Sequence, residues 1–86
     1  MEIKKHVARF MSLPLQVVLD QPQVVLTGNN EAVVENYKKI VAYALDHVRI
    51  LTSAGEVAVR GKNLTLAQLT QESITVKGQI NSVGYS

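Results

Sequence analysis

Two imidazoles, His6 and His47, are the side chains in this sequence best suited to exchange a proton near neutral pH. General acid–base or nucleophilic chemistry would need one of them oriented by a carboxylate and set beside a hydroxyl or thiol. His47 directly follows Asp46 in what reads as a tight turn, where adjacent side chains are expected to diverge, so no triad is predicted. A metal site would require both His to converge with Asp20, Glu35 or Asp46 from distant segments, and no helical or strand spacing brings them together. The seven acidic residues are scattered singly, which offers no shielded carboxylate pair. With no Cys, thiolate nucleophiles, thiolate metal sites and disulfides are all excluded. No catalytic, cofactor-binding or metal-binding residue is assigned, and the chain is expected not to be an enzyme.

Binding chemistry is equally sparse. Arg60, Lys62 and Lys77 suggest a basic stripe across neighbouring strands, but a net charge of +2 and a single Phe with three Tyr give neither the field nor the stacking platform of a nucleic-acid binder. Exposed Lys on strand edges also discourages aggregation, and that role is expected here. A saccharide-binding module is the alternative class, with Tyr37, Tyr43 and Tyr85 as candidate platforms beside Phe10. The glycines match no phosphate-cradling pattern.

The elements that would carry these residues follow from periodicity. In an 86-residue chain with 47% hydrophobic and 19% charged residues, one small core is the expectation. Ile3, Val7, Phe10 and Met11 form an apolar face at helical spacing, and Pro14 ends the pattern, so residues 1–14 are predicted as an N-terminal amphipathic helix. That helix lies either on the domain's own sheet or against a membrane surface or partner groove. No secretory signal and no apolar run of spanning length is present, so a soluble, cytoplasmic protein is expected, peripheral to a membrane at most.

From residue 15 to 86 the period becomes two, broken by turn-formers. Strands are predicted near 23–27, 31–35, 39–45, 48–53, 56–60, 64–69, 73–77 and 79–85. The predicted fold is mainly β: a small antiparallel sandwich or roll of about seven or eight short strands, connected as a meander. Asp20, Gly28, Gly61 and Gly78 are expected at turns or corners, because the apolar phase slips beside the last two. Ile40 to Leu45 does not alternate, which predicts either a central strand covered on both faces or a subunit interface. Ile40, Val41, Tyr43 and Leu45 are therefore the candidate interface residues, for a second copy of the chain or a protein partner.

Several spaced patterns then coincide. Leu13-Pro14-x-x-Val17-Val18-x-Asp20-x-Pro22, Leu26-x-Gly28, Val34-Glu35-Asn36-Tyr37, Val59-x-Gly61-Lys62-x-Leu64 and Ile74-x-Val76-x-Gly78-x-Ile80-x-x-Val83-x-Tyr85 occur in order. From about Leu13 to Tyr85 the chain resembles the YqfC branch of the YabP/YqfC sporulation proteins. The resemblance implies a small mother-cell protein of an endospore-forming bacterium, associated with spore development or coat formation. It also implies a membrane-bound sporulation protein as a partner by association. It transfers no catalytic residue and no cofactor.

Overall fold

The computed structural model describes residues 21–86, which form β1 (Gln23–Thr27), β2 (Glu31–Glu35), β3 (Tyr37–Ala44), β4 (His47–Thr52), β5 (Gly55–Leu69) and β6 (Ser73–Tyr85). All pairings are antiparallel, and the sheet order is β1-β2-β6-β5-β4-β3. The predicted helix and Asp20 lie outside the described residues. Each of the eight predicted strand segments is present, but four of them fuse into β5 and β6, so the described sheet has six strands. β3 to β6 run as a meander, whereas β1 and β2 form a hairpin joined to the side of β6.

This order sets a geometric problem. β2 and β3 are four strand spacings apart in the sheet, roughly 19 Å if it were flat, yet one residue, Asn36, joins them. Two consecutive virtual bonds span at most about 7 Å, so the sheet must fold over on itself. Asn36 takes φ 61° to turn the corner, a conformation Asn tolerates better than most residues. Its N–H donates to the Glu72 carbonyl at 2.7 Å.

The fold is made in the two long strands. In β5 the register with β6 shifts between Arg60 and Gly61 and again between Lys62 and Thr65, and Asn63 has φ 53°. In β6, Gly78 has φ 140°. Each bend is clamped by a hairpin turn from the neighbouring pair. The Gly61 and Leu64 N–H groups donate to the Asp46 and Leu45 carbonyls at 3.1 and 2.8 Å, and those of Gly78 and Ile80 donate to Asn30 and Asn29 at 3.2 and 2.7 Å. Gly61 is required by close approach: a Cβ there would lie 1.9 Å from the Gln79 carbonyl oxygen. Glycine thus bends a strand here without ending it, which is why segments with separate apolar phases belong to one strand.

Folding over places two inner faces against each other. Val34, Ile74 and Val76 come from one half and Val48, Ile50, Val57 and Val59 from the other, with Leu64 at the bend; all are fully buried in one cluster. Thr52 is a buried polar residue, and its hydroxyl is satisfied by donating to the Gly55 carbonyl at 2.7 Å and accepting from the Ala54 N–H at 3.1 Å, closing the β4–β5 turn.

Gly61→Ala is expected to lower stability by about 3 kcal/mol or more, because backbone must move to admit a methyl group. Gly84→Ala is the control: a Cβ there meets nothing within 4 Å, so its effect should stay within about 0.5 kcal/mol. Urea denaturation of both variants decides the matter, and equal midpoints would contradict the close approach.

Candidate functional site

The Ile40 to Leu45 segment does not form a central strand. β3 pairs with β4 on one side and is the outermost strand among the described residues. The physical reason for the misleading pattern is a bulge. Ile40 pairs with Ile50 and Ala42 with Arg49, so Val41 is an extra residue that resets the phase, and Ile40 and Tyr43 both share the inner face of their partners. Ile40 is half-buried against the core, while Val41, Tyr43 and Leu45 are 42%, 49% and 63% exposed. The Tyr43 hydroxyl donates to the Leu64 carbonyl at 3.3 Å, and the Leu45 carbonyl accepts from Leu64. Three of the four candidate interface residues thus form an exposed apolar rim anchored to the β5 bend.

The ionisable groups are arranged differently from expectation in one respect. Asp46 and His47 do not diverge: Asp46 Oδ1 lies 2.9 Å from His47 Nδ1. The turn carries the aspartate back over the first residue of β4. That hydrogen bond, with the positive field of His47 and Arg60, holds the Asp46 carboxyl below its ordinary value. The pair is open to water, with the Asp46 side chain 79% exposed, so it lacks the shielding that a catalytic dyad exploits. His6 lies outside the described residues. Arg49 Nε donates to Glu56 Oε1 at 2.7 Å, and Lys77 stands 3.8 Å from Glu31 on the neighbouring strand β2. Among the described residues no three His, Asp or Glu side chains come together as a metal site.

An open polar cleft of about 250 Å³, which the sequence reading missed, is lined by Glu35, Asn36, Thr70, Glu72 and Ser73. It arises where the one-residue β2–β3 corner meets the β5–β6 turn. The Thr70 hydroxyl accepts from the Ser73 and Glu72 N–H groups at 2.9 and 3.2 Å, a side-chain-closed turn. Tyr37 donates to the Thr70 carbonyl at 2.6 Å. A Thr-x-x-Ser spacing is a turn signal, but nothing local links it to Asn36, more than thirty residues earlier. No aromatic residue lines this cleft; Tyr37 and Tyr43 lie at the two ends of β3, opposite Thr52 and Val48 of β4, and Tyr85 lies on β6, opposite Val57 of β5. The three are not neighbours in the register, so no paired platform forms.

With this architecture in view, the comparison with known families is decisive: the YabP family model matches residues 19–86. The chain belongs to the YabP family. The match spans all six strands, including the Asn36 corner and both bends. The chain is also similar to the uncharacterized protein YqfC of Bacillus subtilis (strain 168), with 25% identity over 83 residues, covering 96% of this chain and 89% of that protein. No solved structure matches. Among the described residues of this family member, no helix is long and apolar enough to cross a membrane.

A pH titration followed by carbon-detected NMR should place the Asp46 carboxyl below 3.8, and His47→Asn should move it back toward that value. Because the folded value is lowered, its contribution to stability is present above the ordinary value and disappears as pH falls through the folded one. An unchanged midpoint in the variant would show that His47 is not the cause.

Proposed function

We propose that this YabP-family protein is a non-enzymatic component of spore formation, made in the mother cell and acting by protein–protein contact as an assembly or adaptor element in spore development or coat formation. The observation that carries the reading is the apolar rim of Val41, Tyr43 and Leu45 on an edge strand. Exposed apolar side chains gathered on one rim favour burial against an apolar surface of another molecule. The spore context comes from the family resemblance. A membrane-bound sporulation protein is the partner class that fits both.

The reactive groups support this assignment indirectly. The one imidazole–carboxylate pair among the described residues stands on an open turn, and the polar cleft contains no imidazole. Surface recognition uses what the molecule presents.

Val41→Lys and Leu45→Lys place charge on the rim at positions where exposure keeps the cost to folding near 0.5 kcal/mol or less. Tagged wild-type and variant proteins should be recovered from sporulating cells with their partners. The expectation is at least a tenfold loss of a partner from the variants, with unchanged melting temperature and reduced spore yield. Full partner recovery and normal spores from both variants would refute the role of this rim.

A further inference from the structure

Among the described residues the sheet offers four stretches of backbone with a neighbour on one side: β1, β3, residues 65–69 of β5 and residues 79–85 of β6. Three of them carry features that deter another strand. β3 holds two bulges together with Lys38 and Lys39. Residues 65–69 are interrupted by the register shift between Leu66 and Gln68. Residues 79–85 contain the shift opposite Arg60 and Gly61. β1 has no such device: Gln23-Val24-Val25-Leu26-Thr27 contains no charge and pairs with β2 in unbroken register.

The side chains of β1 add a second observation. Val25 is 45% exposed and Leu26 is 53% exposed, and successive residues of a strand point to opposite faces. Both faces of this edge are therefore apolar and open. The order polar, apolar, apolar, apolar, polar is also symmetric about Val25.

We propose that β1 pairs antiparallel with β1 of a second copy, about a two-fold axis through Val25. In this register Gln23 faces Thr27 of the other copy, Val24 faces Leu26, and Val25 faces its own equivalent. On the inner face the Val34–Val24 row continues into Leu26–Ala32 of the second copy, and on the outer face Val33–Val25 continues into Val25–Val33. Every apolar side chain of the strand meets an apolar one, and no like charges are opposed, because the strand has none. A two-fold contact requires such self-complementarity, which a foreign strand would not. β3 fails the same condition, since its lysines lie on a bulged backbone. Two short strands bury a modest area, so dissociation in the micromolar range is expected, on the order of 1–100 µM.

The test uses the full chain. Sedimentation velocity across concentration should show a monomer–dimer equilibrium. Val25→Lys and Val25→Glu should each weaken it at least tenfold, since like charges then meet at the axis, and mixing the two variants in equal amounts should restore dimer. Because the chain has no Cys, Val25→Cys gives a second readout. Opposed antiparallel residues have Cα atoms about 4.5–5.5 Å apart, within disulfide range, so mild oxidation should cross-link Val25→Cys at least tenfold faster than Val41→Cys. The cross-linking arm decides if the charged variants do not fold. A strict monomer, a mixture of folded charged variants that stays monomeric, or equal cross-linking at both positions would overturn the proposal. Slowly exchanging β1 amides in a monomer would do so too, by showing that the edge is covered within one chain.

Discussion

A single residue between β2 and β3 governs this architecture. Strands that stand four places apart in the sheet must start and end almost at the same point, and no flat arrangement allows it. The sheet therefore folds, the folding line runs through the two longest strands, and the two inner faces meet. Burial follows from that closure. Among the described residues the two long strands belong to both halves, so one sheet supplies both sides of its own core.

The bends have a common construction. Each occurs in a long strand, contains a backbone geometry that admits little but glycine or asparagine, and is held by main-chain hydrogen bonds from the turn of a hairpin. The hairpin turns thus serve twice, reversing the chain and locking the fold of the sheet. Leu64 occupies the angle between the halves, and its backbone links the β5 bend to the turn beyond β3. The exposed rim of β3 is consequently tied by hydrogen bonds to the β5 bend, which suits a surface that presents a fixed shape to a partner.

Much of this was legible in the residues. The change to a two-residue period and the spacing of turn-formers marked the segments, with Ile40 to Leu45 the exception that does not alternate, and the phase slips beside Gly61 and Gly78 marked the corners. Continuity across those corners was not legible, because a glycine that ends a strand and one that bends it leave the same local trace. The Ile40 to Leu45 run misled for a related reason: a bulge at Val41 erases the alternation that would have shown an edge strand. Contacts set by neighbours in space were invisible as well. The Asp46 to His47 bond depends on how the β3–β4 turn closes, and the polar cleft joins residues brought together only by the corner at Asn36.

The β2–β6 ladder joins Glu31 to Lys77 and Glu35 to Ser73, on strands adjacent in the sheet but about forty residues apart along the chain. The hairpins β3–β4, β4–β5 and β5–β6 can each zip from a nearby turn, but this ladder must wait until the intervening polypeptide is already ordered, or bear the full entropic cost of closing a long loop. Acquisition of the native state should accordingly be slow for so small a domain. During that delay the β1–β2 hairpin, whose edge is uncharged and apolar at its centre, is a sticky intermediate surface in a crowded cell.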